Sequence, residues 1–438
     1  MSGLGEKSMK EEDKEKINDI VDGKREEIIE FLQKMIRVPT GPPPTSEKLC
    51  QQLVEKKLDS IGLELDVFEI TEMLDMLIRS PNFGKIPEPE KWYEGRPIVV
   101  GKMRGTGGGR SIILNGHVDT VGVEPRKLWK HKPFGAELDN GRIYGRGASD
   151  MKGGVAAMIS AVESVVEAGF RPKGDITLES VIDEEGGANG TRACILRGYN
   201  ADAGVVTEPT QLQIFPAQQG WLMLRVKVYG KPAHVGIAYE GINALEKGLK
   251  IYQALKDLES ARNAHKRHPL YTGKYPIATP ICVGVVRAGE WVNYIPGECV
   301  LEACILTLPN ENIEEVRGEI ETYLKGVAYS DLWLKDNPPE IEWWGSVGIG
   351  VDVGVEHPLV RVLTNNVKYV THRNPEISGM IAGCDMNQLT IEGKTPTIIF
   401  GPGNLRLAHA FDEFVEVDEV INCTKALAMS ILEWCDYR

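Results

Sequence analysis

His117 and Asp119 stand two residues apart at the end of the apolar run "ILNGHVDTV" (113–121). An imidazole and a carboxylate at that spacing on a strand point the same way, so one can hydrogen-bond the other and fix its tautomer. Four further stretches carry acids or a histidine among glycines: "GRGASDMKGG" around Asp150, "IDEEGG" with Glu184 and Glu185, "TEPT" with Glu208, and "GPGNLRLAHAFDE" with His409. Taken singly each has an ordinary explanation. His117 reads as a satisfied core histidine, Asp150 as a helix cap and the Glu184–Glu185 pair as solvated surface. Together they amount to histidines and carboxylates, ligands that suit a divalent cation.

Other suggestive patterns fail on context. "RGTGGGR" (104–110) precedes a strand, whereas a phosphate cradle lies between a strand and a helix, so it reads as a turn. "EGKTPT" has the tail of a P-loop, but Gln388 stands where its first glycine belongs. There is no GxSxG nucleophile elbow and no HExxH.

The elements that must position these residues can be read from periodicity. Apolar runs "PIVVGKM", "SIILNGH", "DITLESVID" and "AGVVTEP" read as strands, and "MKGGVAAMISAVESVVEAG" between them as a helix. Alternating strands and helices predict an α/β fold, a mixed, largely parallel sheet flanked by helices, with ligands gathered at the carboxyl ends of strands. "GHVD", "IDEEGG" and "TEPT" sit at such ends. Earlier in the chain, residues 1–16 read as a flexible tail. Ile17 to Ile36 follow helical spacing up to "PTGPPPT", and "SEKLCQQLVEKKLDSIG" reads as a helix capped by Ser46.

From about Ile214 the texture changes. A half-exposed strand "WLMLRVKVYG", the helix "GINALEKGLKIYQALKDLE", a hairpin within 280–308 and a helix "NENIEEVRGEIETYLKGV" suggest a compact α+β insert. The α/β rhythm then returns, with a helix near 358–371, strands in "EISGMIAG" and "TPTIIFG", and a last helix over 417–435. The division expected is 1–213 and 346–438 for the catalytic domain and 214–345 for the insert.

Formal charge is −13 over 438 residues, with no basic cluster to track phosphates, so nucleic acid and anionic membrane are not expected partners. No run approaches a membrane span, and the charged N-terminus lacks the apolar core of a secretory signal. The eight cysteines show no paired spacing, which suits a reducing compartment and places the chain in the cytoplasm.

The five stretches, in this order, resemble the co-catalytic zinc family of acetylornithine deacetylase, succinyl-diaminopimelate desuccinylase, aminoacylase and glutamate carboxypeptidase. The resemblance covers nearly the whole chain from about residue 25. It implies an aminopeptidase/phosphorylase-like catalytic domain with a ferredoxin-like lid and dimerisation insert, and two divalent cations per subunit, zinc first, with cobalt or manganese also accommodated. It implies that His117 and Glu208 hold one cation, Glu185 and His409 the other, and that Asp150 bridges them. It further implies that Asp119 orients His117, that Glu184 is the general base, and that the Asp150–Met151 peptide is cis. In the insert, "GKPAH" supplies His234, implied to stabilise an oxyanion in a neighbouring subunit's site of a homodimer, and "EWVNYIP" supplies Asn293 at a substrate-contacting position.

Two departures bear on the substrate. Members acting on amino acids often carry an arginine shortly after the "NxIP" segment, where this chain has Cys304 or Leu306, and another in a loop that here reads "GCDMN", with Asn387. A bidentate arginine clamp on a carboxylate is not replaced by Cys or Asn. Either Arg406 substitutes, or the small-molecule substrate lacks that carboxylate. The reading is a dinuclear metal-dependent amidohydrolase of an N-acyl amino acid-like substrate. Its alternatives are a hydrolase of an aromatic or heterocyclic amide or amine, a dipeptidase or carboxypeptidase, and a metal-binding scaffold without catalysis, which the presence of Glu184 disfavours.

Overall fold

The computed structural model of the chain describes residues 9–42, 47–79, 86 and 88–438. The chain forms two compact units: residues 1–217, 353–380 and 384–438 in the first, and 218–352 with 381–383 in the second.

The first unit is built on a mixed sheet whose strands lie in the order Glu64–Glu69, Pro97–Met103, Ile176–Val181, Ile112–His117, Ala203–Val206, Thr397–Ile399 and Ile214–Gln218. Ile112–His117 runs parallel to both neighbours, pairing Asn115 with Glu179 on one side and with Val206 on the other. Thr397–Ile399 is parallel to Ala203–Val206, while the Pro97–Met103 strand is antiparallel to its partners. The three central parallel strands are buried along their whole length, the continuous apolar pattern of a sheet covered on both faces. Helix Gly153–Glu167, almost wholly buried, packs on this sheet and against the C-terminal helix Val417–Cys435.

Because those three strands are parallel and adjacent, their carboxyl ends emerge side by side. His117 closes the first, Glu184 and Glu185 follow the second by three and four residues, and Glu208 follows the third by two. Close packing below them depends on Gly154: a Cβ there would lie 1.9 Å from the carbonyl oxygen of Thr207.

The second unit is a four-stranded antiparallel sheet in the order Ile281–Ala288, Glu298–Thr307, Gly220–Tyr229, Glu340–Gly348. Burial alternates along Gly220–Tyr229 and Glu298–Thr307, and the inward residues pack with helices Ala244–His265 and Ile313–Tyr329. Asn243 and Asn312 cap those helices through their side-chain oxygens.

At the N-terminus the structure departs from the sequence reading. Helix begins at Glu11, not after residue 16, because Lys14, Ile17 and Val21 form a buried stripe. Of the expected tail, residues 1–8 lie outside the described residues. The single helix read from 17 to 36 is two, Glu11–Gly23 and Arg25–Ile36, broken at Lys24 behind a glycine. The helix expected after "PTGPPPT" is Lys48–Ile61, ended by left-handed Gly62; Ser46, its expected cap, lies outside the described residues.

Candidate metal centre

Two groups of side chains converge where the central strands end. One atom each of His117, Glu184 and Glu208 lie within 4.8 Å of one another, as do atoms of Asp150, Glu185 and His409. Asp150 stands between the groups: its Oδ1 is 3.1 Å from His117 Nε2 and its Oδ2 is 3.4 Å from His409 Nε2. Glu208 Oε1 is 3.6 Å and Glu184 Oε2 3.9 Å from His117 Nε2, and Glu185 Oε2 is 3.0 Å from His409 Nε2. His117 is fully buried, whereas His409 lies on an exposed loop in a left-handed conformation (φ 61°).

Asp150 sits in a tight turn between left-handed Gly147 and helix Gly153–Glu167, and its peptide bond to Met151 is cis, as the resemblance implied. Glu184 and Glu185 occupy a short helical turn entered from left-handed Asp183. The Asp183 carboxylate, itself buried, accepts from Tyr93 Oη at 2.8 Å and Asn189 Nδ2 at 2.9 Å.

Asp119 faces His117 with both its backbone carbonyl and its carboxylate. His117 Nδ1 donates to the backbone carbonyl of Asp119 at 2.9 Å, while the carboxylate is 3.5 Å away. The carboxylate also accepts the backbone N–H groups of Glu184 and Glu185, at 3.3 and 3.2 Å.

The electrostatics of the centre describe a site short of positive charge. Burial, with repulsion from Glu208 and Glu185, holds the Glu184 carboxyl far above its usual range. Burial and the Asp150 charge push Glu208 up to about 7. Burial opposes protonation of His117, but Asp119, Asp150 and Glu208 override it, and Asp150 and Glu185 raise His409 to about 10. Asp150, flanked by both imidazoles, is held well below the carboxylate range despite its burial. Several mostly buried carboxylates converging on one buried and one exposed imidazole are costly unless cations compensate them. The donor set, two imidazole nitrogens and carboxylate oxygens, is one that zinc, cobalt or manganese accepts. The residues therefore fit two divalent cations.

The other candidate residues are each placed within their own unit. Asn387 is buried in helix Met386–Ile391, and Arg406 is exposed in a 3₁₀ turn three residues before His409. His234 and Asn293 belong to the second unit, where their exposed loops touch: Val235 N–H donates to Asn293 O at 3.0 Å, and His234 pairs with Tyr294. Cys304, half-buried in the same unit, lies opposite Met223 and Cys282 on adjacent strands.

Sequence reasoning missed the groups that hold the ligands. Glu413 and Arg146, both buried, form an ion pair at 2.7 Å beside Asp150. Lys152, fully buried, donates to the carbonyls of Met35 and Val38 at 3.1 and 3.0 Å, anchoring the Asp150 turn to a helix end. Each sits within a quoted stretch, but nothing in its spacing distinguishes it from a surface charge.

Comparison with known proteins places the chain. The model of peptidase family M20/M25/M40 matches residues 113–433. An N-formyl-4-amino-5-aminomethyl-2-methylpyrimidine deformylase of Bacillus subtilis is 32% identical over 435 residues, covering 95% of this chain and 96% of that protein. An acetylornithine deacetylase of Myxococcus xanthus is 28% identical over 342 residues, covering 78% and 84%. Among solved structures, an M20 family metallo-carboxypeptidase from Sulfolobus solfataricus superposes with a TM-score of 0.70 at 17% identity, covering 93% of this chain and 99% of that one.

Proposed function

The chain belongs to peptidase family M20/M25/M40, and on that premise we propose that it is a dinuclear amidohydrolase releasing a small amine from its N-acyl amide. It is a hydrolase that acts on carbon–nitrogen bonds, as its relatives do. The observation that carries the reading is the convergence of His117, Glu208, Asp150, Glu185 and His409, with Glu184 beside them. His117 and Glu208 would hold one cation, Glu185 and His409 the other, and Asp150 would serve both. Bound there, the cations supply Lewis acidity to a carbonyl oxygen and to a water molecule.

The chain's own groups do the proton work. Glu184 accepts a proton from the attacking water as its oxygen joins the carbonyl carbon. It then delivers that proton to the nitrogen as the C–N bond breaks, leaving a carboxylic acid and an amine. Glu184 is placed for this work, mostly buried and with its Oε2 3.9 Å from His117 Nε2, beside the residues that would hold the cations. His234, by its resemblance to the family's insert histidine, donates to the oxyanion.

For the substrate, Cys304 or Leu306, and Asn387, stand near the places where amino-acid-directed members carry arginines, which favours an acyl amide without an α-carboxylate. The near full-length likeness to a pyrimidine deformylase supports a heteroaromatic amine as the leaving group and formyl as the acyl group. The second reading is an N-acyl amino acid held by Arg406, supported by the likeness to a deacetylase. Asn293 contacts the substrate in either case. A homodimer formed through the second unit is part of the proposal. So is a cytoplasmic location, to which eight free cysteines are suited and in which no described helix is long and apolar enough to cross a membrane.

The test is turnover of metal-loaded protein on N-formyl aminomethylpyrimidines, N-acetylornithine and dipeptides. Preference for the first by at least tenfold in kcat/KM is expected. Preference for N-acetylornithine would transfer the assignment to the Arg406 reading, and Arg406→Ala should then raise KM.

A further inference from the structure

One buried ion pair hydrogen-bonds to the backbone of Asp150, which stands between the two ligand groups, and to that of His409. Glu413 is wholly buried and Arg146 nearly so. Glu413 Oε1 accepts the backbone N–H groups of Ser149 and Asp150, at 2.9 and 3.1 Å. Its Oε2 accepts from Arg146 Nη1 at 2.7 Å, and its own carbonyl accepts Gly145 N–H at 2.8 Å. The other arm of the guanidinium reaches the carbonyls of Gly122 and His409, at 3.3 and 3.4 Å.

From this geometry we infer that Arg146 and Glu413 are positioning residues that set the two cation sites relative to one another before any cation binds. The argument rests on the dinuclear reading above. The shared ligand must present one carboxylate oxygen to each group, which requires a fixed backbone at Asp150. Glu413 fixes it by two N–H bonds to one oxygen. His409 must hold a left-handed conformation on an otherwise exposed loop, and non-glycine residues do so only when the surroundings enforce it. Arg146 supplies that constraint at the carbonyl of His409. A single rigid fork therefore spans the bridging ligand and the terminal ligand of the second site, and the planar, bidentate geometry explains why arginine stands there in place of lysine.

Full-length chain is titrated calorimetrically with Zn²⁺ and Co²⁺ as wild type, Arg146→Lys and Glu413→Gln. Arg146→Lys keeps the ion pair but lacks the second arm. It is expected to melt near wild type without metal, yet to bind the second cation roughly 10–100-fold more weakly. Glu413→Gln should weaken both sites. Wild type and variants binding two cations with equal affinity would overturn the inference.

Hydrogen exchange on metal-free wild type decides even where a variant does not fold. Protected Ser149 and Asp150 amides support preorganisation, and amides that exchange freely until metal is added refute it. A wild-type chain that takes up no cation would refute the dinuclear reading itself, and the brace with it.

Discussion

At Asp119 one carboxylate bonds to the N–H groups of both Glu184 and Glu185, which makes its substitution more informative than that of a metal ligand. His117 Nδ1 has the Asp119 backbone carbonyl as its nearer acceptor, and a backbone carbonyl survives mutation. Asp119→Ala should therefore leave about two cations bound while lowering kcat roughly 10–100-fold, through a loosened Glu184 turn. Metal analysis alongside kinetics checks this, and loss of one cation would return the role of Asp119 to His117. Glu184→Gln is the complementary case: an isosteric side chain that cannot take the proton. Cation content should remain near two and kcat should fall by roughly 10²–10⁴-fold, whereas retained turnover would remove Glu184 from the chemistry. The sequence suggested the candidate ligands because histidines and acids at strand ends are few and their order is distinctive. It could not suggest which atom of Asp119 lies nearer His117, because that depends on how the chain turns after the strand. Nor could it separate Arg146 and Glu413 from ordinary charges, since burial of an ion pair is a property of the folded chain.

The central strands were legible as elements because each is a short apolar run bounded by turn residues, as in "SIILNGH" and "AGVVTEP". The break at Lys24 was not, since residues on both sides keep helical spacing and only the local backbone changes. The strand Ile176–Val181 carries one discordant residue. Glu179 is fully buried, its Oε2 accepting from Asn115 Nδ2 at 2.9 Å on the neighbouring strand. Burial pushes its carboxyl up to about 8, with the Asp385 charge adding to the effect. A carboxyl whose pKa is raised in the fold binds its proton more tightly there than in the unfolded chain. Its stability contribution is complete below the ordinary glutamate range and is lost as pH climbs from there through about 8. Glu179→Gln, neutral throughout, should gain on wild type across that window by up to ~1.4 kcal/mol per pH unit. Denaturant melts at pH 5, 7 and 8.5 measure the gap, and a constant gap would mean that Glu179 is ionised in the fold. Beside this strand, Gly154→Ala should destabilise by about 1–3 kcal/mol, as an overpacked site does. It should also lower activity, because the Thr207 carbonyl it would displace directly precedes Glu208.

Across the whole molecule the balance of charge gives the last prediction. The chain carries a formal −13, and a cluster of mostly buried acids makes up the two ligand groups. Asp150, Glu184, Glu185 and Glu208 lie there with two imidazoles for company. Without cations the fold must either protonate some of these acids or bear their repulsion, which is what the raised Glu184 and Glu208 groups express. The unfolded chain scatters the ligands and has no such site, so cations bind the native state preferentially. At a hundredfold excess over Kd each bound cation adds ~2.7 kcal/mol of stability. At roughly 1–2 °C per kcal/mol, as the per-residue unfolding entropy gives for a chain this long, two cations should raise Tm by about 5–10 °C. Thermal melts of chelator-treated protein, with and without Zn²⁺, Co²⁺ or Mn²⁺, measure the rise. His409→Ala should remove about half of it, by emptying one site and leaving His117 and Glu208 to hold the other. Mg²⁺, which suits oxygen donors and keeps its water, should reproduce little of it. Coincident melts with and without Zn²⁺ would mean that the acids balance their charge by protons alone, and a dinuclear centre could then not be sustained for this chain.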